Sequence, residues 1–378
     1  VTMGESEAPA GGALPPRSAT PGPTARIRRL RLVALLILLV VAAVTVVRVV
    51  SVVGPPSREQ LRERAGLTGK QELLIGVKDD QPGVSQLLEN GAFAGFDIEI
   101  AYMIAEDLGF DAPRVRFLPI ESEDRARRQA LVPGESRYVT VDLVIASYSI
   151  TERRRQQGVI FSAPYLQTEQ SVVTRADSDL RPTTFTDLAG RKVCTLATST
   201  AEQNLAAAGA QAHGRNRIRQ CIQELYDGEV DAVTTDAAIL AGFVAPPPVG
   251  EAPPASKLTN PKPLRHFDIG ADGDELWGVN TGPNPAMRDL VNLSLEEART
   301  GHNGKRWRAA FDRYFGHAQQ YNDEQQVAVD RQPPPGPADK VEVRQWPWER
   351  SAWRHPNQPR PGLSPVAARV RARRSSGC

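Results

Sequence analysis

The chain has 378 residues, with 46 Lys plus Arg against 44 Asp plus Glu and a formal net charge of +2 at pH 7. That length holds one large domain or two ordinary ones. The near balance of charge excludes a broad electrostatic partner such as nucleic acid. Cys194, Cys221 and Cys378 fall in no CxxC or Cys/His spacing, the five histidines are scattered, and the pattern calls for no metal and no cofactor.

Residues 1–25 are rich in Gly, Pro, Ala, Ser and Thr without periodicity, and with the basic run "RIRRLR" they predict a disordered cytoplasmic segment over 1–31. Residues 32–53, "LVALLILLVVAAVTVVRVVSVV", are apolar except for Thr45, Arg48 and Ser51. About 20 apolar residues span a bilayer. The basic flank predicts that its own side is cytoplasmic and that the remainder lies outside. The competing reading is a cleaved signal peptide. The length of the stretch, and the lack of a small-x-small site before Gly54, favour an uncleaved single-pass anchor.

"ELLIGV" (Glu72–Val77) reads as a strand, and "FDIEIAYMIAEDLGF" as a helix with Ile98, Ala101, Ile104, Ala105 and Leu108 on one face, Asp97 as N-cap and Gly109 as stop. "VRFLPI" and "VDLVIA" follow as strands, with "EDRARRQAL" as a helix between them. The pattern restarts after residue 170 with strands "SVVT" and "RKVCTLA", helices "STAEQNLAAAGA" and "CIQELYDG", and strand "VDAVTTD". A Pro-rich surface insertion (244–263), a last strand "ELWGVN" and a closing helical pair complete the folded part. Strand–helix alternation of this kind means buried, largely parallel α/β sheets, here in two units. From about residue 317 the chain turns polar, then Pro- and Arg-rich, without a core pattern.

Ligands of open α/β sheets bind beyond the carboxyl ends of strands. Ser147, Ser149 and Thr151 leave the end of "VDLVIA", and the arginines behind them offer a bidentate fork for a carboxylate. A plain Ser/Thr helix cap with a solvated basic turn is the alternative. "TSTAEQNL" puts hydroxyls at a helix start suited to an anion. Asp236 at the end of "VDAVTTD" would pair with an ammonium or, alternatively, cap the next helix. Together these features describe a site for an α-amino acid between two lobes.

The segments "GFDIEIAYMIAEDLG", "SYSITERR", "FSAPYL", "DLAGRKVCTLATSTAE", "LYDGEVDAVTTDAAILAG" and "YFG", in this order between Glu72 and Gly316, resemble the polar amino-acid family of extracellular solute-binding proteins, the ligand-capturing parts of ABC importers (family 3). "VKDDQPG" and "VCTLATSTAEQN" are most similar to its glutamate-binding branch from actinobacteria. The resemblance implies an α/β, periplasmic-binding-protein-like fold of type II. Two α/β lobes, 72–168 with 275–316 and 169–274, would be joined by a two-strand hinge, with one transmembrane helix before them and a disordered tail over 317–378.

Residue by residue, the resemblance puts Ser147 and Ser149 against the ligand, Thr200 as the second-lobe hydroxyl and Asp236 on the α-ammonium. Asp79 and Gln81 line the cleft, and Arg125 reads an acidic side chain. The α-carboxylate arginine falls on Arg154 when counted from Thr151 and on Arg155 when counted back from Phe161; the strand end favours Arg154. An outward-facing domain permits a Cys194–Cys221 disulfide, with two free buried thiols as the alternative. The implied protein is no enzyme. It binds glutamate, aspartate or a related polar amino acid and presents its closed form to an ABC permease or, alternatively, to a signalling membrane protein. Enzymes on the same fold exist, but no nucleophile motif or His–acid pair marks this chain as one.

Overall fold

The computed structural model describes residues 23–270, 275–301 and 304–344. They fall into two compact units that divide after Pro56. In the first, helix α1 (Pro23–Val53) opens with proline at its first position, where the missing N–H costs nothing. Ile27–Val49 is long and apolar enough to cross a bilayer, a test that signal sequences also pass. The helix starts nine residues before the expected boundary at 32. Arg26–Arg31 continue it because Arg and Leu are strong helix formers. The rest of the segment expected to be disordered, residues 1–22, lies outside the described residues.

The second unit opens with α2 (Arg58–Arg64), closed by a Ser57/Gln60 capping box. β1 (Leu73–Val77) leads into a small antiparallel sheet of β2 (Asp80–Gln81), β3 (Ser85–Leu87) and β4 (Phe93–Ala94), then α3 (Phe96–Asp107), β5 (Val115–Pro119) and the hairpin of β6 (Gln129–Leu131) and β7 (Tyr138–Thr140). β8 (Leu143–Val144), α4 (Glu152–Gln156) and β9 (Phe161–Thr168) complete the first pass through one lobe. After Glu169 the chain enters the other lobe: β10 (Gln170–Arg175), β11 (Lys192–Leu196), α5 (Thr200–Ala207), β12 (Gln211–Arg215), α6 (Ile218–Asp227), β13 (Ala232–Asp236), α7 (Ala237–Val244) and β14 (Leu264–Asp268). It returns as β15 (Glu275–Asn280), α8 (Pro285–Thr300) and α9 (Gly304–Phe311).

Each lobe holds a five-stranded sheet, in the orders β5-β1-β8-β15-β9 and β12-β11-β13-β10-β14. Parallel pairing at β5/β1/β8 and β12/β11/β13 sends these strands' carboxyl ends toward one side of each sheet. The crossings from β9 to β10 and from β14 to β15 make the two-strand hinge. The inner strands β1 and β8 are apolar because both faces are covered, whereas the edge strand β12 is polar and largely exposed; Leu73, Ile75, Val77 and Val233 are fully buried.

Three expectations are corrected. "EDRARRQAL" is not a helix: a 3-10 turn at Ser122–Asp124 gives way to β6. Its helix-forming residues are overruled by burial of Arg125 and by Arg128, which takes φ 57° and donates to the Val141 carbonyl at 2.8 Å. Asp97 is not the N-cap of α3. Gly95 is, at φ 127°, where a Cβ would lie 2.2 Å from the Val84 carbonyl oxygen. The chain also does not lose its packing at residue 317. Val327 and Ala328 are buried, Thr168 Oγ1 donates to the Val327 carbonyl at 2.7 Å, and the Val329 N–H donates to the Gln167 carbonyl at 2.9 Å. Asn322 Oδ1 meets Nδ1 of the buried His266 at 2.6 Å. Residues 318–344 thus form a strap over the first hinge crossing. The remainder of the expected tail, 345–378, lies outside the described residues.

Cys194 in β11 and Cys221 in α6 form a disulfide, their Cα atoms 5.3 Å apart and 27 residues apart in sequence. Replacing both cysteines by alanine should lower unfolding free energy by about 2–4 kcal/mol. Denaturant melts of the second lobe's tertiary signal would measure this.

Candidate functional site

The segment after β8 turns sharply. Ser147 takes φ 44°, an unfavourable conformation for a non-glycine residue. Its N–H donates to Asp97 Oδ2 at 2.8 Å, and Tyr165 Oη donates to Asp97 Oδ1 at 2.9 Å. Desolvation pushes the Asp97 carboxyl up to about 7, against the pull of these two bonds. Ser147 Oγ donates to Gln81 Oε1 at 3.0 Å. Gln81 is fully buried, and its Nε2 has no partner.

Two arginines converge on this turn. Thr151 caps α4 by accepting the Arg154 N–H at 3.2 Å. That helical turn aims Arg154 inward and leaves Arg153 and Arg155 exposed. Arg154 donates through Nη1 to the Ser149 carbonyl at 2.6 Å and through Nη2 to the Thr198 carbonyl of the other lobe at 3.0 Å. Arg125 donates through Nε to the Ser122 carbonyl and through Nη1 to the Ala146 and Ser147 carbonyls, each at 3.2 Å. Both guanidinium carbons lie over the Tyr148 ring, 4.6 Å (Arg125) and 4.5 Å (Arg154) from its centroid. Burial and then the neighbouring Arg154 pull Arg125 down to about 10. Among the described residues neither guanidinium has a carboxylate oxygen within 4.0 Å.

The second lobe and the hinge supply the opposite charge. Asp236 stands at the N-cap position of α7 but makes no capping bond. Its Oδ2 instead accepts from Trp277 Nε1 at 2.5 Å. Burial, then the charge of Glu275, pushes the Asp236 carboxyl up to about 8. Gln170 Nε2 donates to Glu275 Oε1 at 2.7 Å and to Thr200 Oγ1 at 2.8 Å. The fold therefore brings together Gln81, Arg125, Ser147, Ser149, Arg154 and Asp236, with Thr200 joined through Gln170. Sequence reasoning missed Tyr148, Trp277 and Glu275, although Tyr148 stood between two of the chosen serines.

Asp79 lies elsewhere. Its Oδ2 pairs with Arg217 of the other lobe at 3.0 Å, and Glu121 takes the same guanidinium at 2.7 Å. Asp80 Oδ2 accepts the Arg219 N–H at 3.1 Å, in the first turn of α6. The buried Lys78 donates to Ile120 O and Ser122 Oγ, each at 3.3 Å, and across the lobes to Asn216 O at 2.9 Å. These residues form a rim seam rather than a ligand cradle. The Pro-rich insertion joins in: the Glu89 N–H donates to the Pro253 carbonyl at 2.8 Å.

The lobes are closed on each other, and Gly242 records how tightly. A Cβ there would sit 1.9 Å from the Pro82 carbonyl oxygen in the other lobe. Alanine suits a helix interior better than glycine. Gly242→Ala should therefore leave folding intact, disfavour closure and weaken all ligands together by about tenfold or more, a loss of about 1.4 kcal/mol. Paired titration and thermal melts would check this.

Two buried guanidiniums without an ion pair among the described residues and a buried carboxyl group, enclosed between hinged lobes, define a ligand-capturing protein. The chain belongs to the bacterial extracellular solute-binding proteins, family 3, which it matches over residues 73–317. It is 32% identical over 234 residues to glutamate-binding protein GluB of Corynebacterium efficiens, covering 59% of this chain and 72% of that protein. GluB of Corynebacterium glutamicum is 35% identical over 176 residues, which is 45% of this chain and 57% of the relative. Among solved structures, an ancestral arginine-binding protein bound to glutamine superposes with a TM-score of 0.53 at 29% identity, covering 65% of this chain and 99% of that one.

Proposed function

We propose that this protein captures an acidic amino acid, glutamate foremost, on the outer side of a membrane and presents it in the closed form to an ABC importer. The observation that carries the reading is the pair of buried guanidiniums, Arg125 and Arg154, without an ion-pair partner among the described residues, close enough to the buried Asp236 to act on its carboxyl. Arg154 takes the α-carboxylate, Arg125 the side-chain carboxylate and Asp236 the ammonium. The unpartnered Gln81 Nε2 donates to a ligand oxygen. Ser147, Ser149 and Thr200 complete the walls, and α1 anchors the domain to the membrane. The kinship with two glutamate-binding proteins supports the choice of ligand. Binding involves no covalent step; its free energy shifts the lobes toward the closed state.

Calorimetry of the full chain against the twenty amino acids tests the proposal. Glutamate or aspartate should bind best and be recovered unchanged after incubation. Preference for a neutral or basic amino acid would overturn the ligand assignment, and a chemically altered ligand would overturn the binder reading.

Affinity should also depend on pH. Burial and the charge of Glu275 raise the Asp236 carboxyl to about 8, which favours its protonated form at neutral pH when no ammonium stands beside it. An ammonium favours the ionised carboxylate, so binding expels that proton. Glutamate affinity should rise with pH from 6 toward 8, approaching tenfold per unit at the acid end. Titrations at matched ionic strength would show it, and an affinity unchanged between pH 6 and 8 would overturn it.

A further inference from the structure

We infer that Tyr148 is the positioning residue that sets the spacing of the two site arginines and so measures the distance between a ligand's two carboxylates. The inference rests on the acidic amino-acid reading above and names a device within that site.

Two buried like charges repel, and with no carboxylate oxygen of the described residues within 4.0 Å of either guanidinium they need something else between or against them. Tyr148 provides it. Both guanidiniums lie over its ring, at 4.6 and 4.5 Å from the centroid. A cation over a ring face is attracted to the ring quadrupole, more strongly when desolvated. The two distances also bound the guanidinium carbons to within about 9 Å of each other. The carbonyls that orient the arginines come from the residues on either side of the ring, Ser147 for Arg125 and Ser149 for Arg154. Ring and carbonyls thus move as one piece.

That piece is fixed from behind. The Tyr148 ring packs against Phe161 with centroids 5.0 Å apart, in a cluster with Val159 and Ile150. The Tyr148 carbonyl accepts the Gly278 N–H at 3.0 Å, tying it to hinge strand β15. No hydrogen bond from the phenol is needed for this role. The aromatic face is the working part.

The test compares Tyr148→Phe and Tyr148→Leu in the full chain, titrated with glutamate, aspartate and glutamine, with thermal melts as a folding control. Tyr148→Phe keeps the ring and should bind all three ligands within about twofold of the parent. Tyr148→Leu keeps an apolar filler but no ring face. It should lose about tenfold or more in glutamate affinity, and its glutamate-to-glutamine ratio should fall toward one. A merely structural role would lower affinity for every ligand equally and leave that ratio unchanged, which would overturn the inference. So would parent-like behaviour of Tyr148→Leu, or a Phe variant as damaged as the Leu variant. If the parent itself does not bind acidic amino acids, the ligand assignment falls first and is told apart by that control.

Discussion

Asp236→Ala should reduce glutamate affinity by about 30- to 5000-fold, equivalent to roughly 2–5 kcal/mol. The ligand's ammonium enters a buried site and, without this carboxylate, would lie there desolvated and unpaired. Asp236 also accepts the Trp277 indole N–H, so alanine strands a buried donor as well. Asp236→Asn separates the two effects. It can keep an oxygen for Trp277 while removing the charge, and it should restore the melting temperature without restoring binding. Affinity close to that of the parent in both variants would place the ammonium elsewhere, with Glu275 the nearest candidate.

The two arginines should part company under truncation. Arg154→Ala should weaken all amino acids together, because every ligand carries an α-carboxylate and because the bond to Thr198 across the lobes is lost with it. Arg125→Ala should weaken glutamate and aspartate by about 10- to 150-fold, or roughly 1.5–3 kcal/mol, and glutamine and asparagine far less. Arg155, exposed on the outer side of the same turn, should tolerate alanine. A collapse of binding in Arg155→Ala with Arg154→Ala unaffected would reverse the assignment. Equal losses of glutamate and glutamine in Arg125→Ala would remove the basis for an acidic ligand.

Much of the scaffold could be read from the chain because buried strands leave a plain mark. Leu73–Val77 is a short apolar run and Ala232–Asp236 a short run centred on β-branched Val and Thr, and both are inner strands of their sheets. The apolar stripe of Ile98, Ala101, Ile104 and Ala105 likewise matches the buried face of α3. What escaped was decided by distant partners. Arg125 belongs to a helix-forming stretch, yet its side chain is satisfied by carbonyls about twenty residues away. The strap over the hinge has few apolar residues. Its packing rests on Val327, Ala328 and side-chain bonds that composition does not reveal. Glu275 and Trp277 are two apart on one strand and so share a face; that alternation was the available signal for the wall beside Asp236. Asp79 and Gln81, only two residues apart, go to the rim and to the interior because of a tight antiparallel pairing at β2 and β3.

The seam of Lys78, Asp79, Asp80 and Glu121 against Asn216, Arg217 and Arg219 adjoins the cluster around Tyr148 through Ser122, whose hydroxyl accepts from Lys78 and whose carbonyl accepts from Arg125. A captured molecule escapes as the lobes part, so its dwell time depends in part on seam groups that do not choose it. Related complexes differ mainly in how fast they come apart. Arg217 is partly exposed, and ions in solution compete for it. Rising ionic strength should therefore hasten release while leaving the order of preference among amino acids unchanged. Substitutions along this seam would retune the pace of release without touching selectivity.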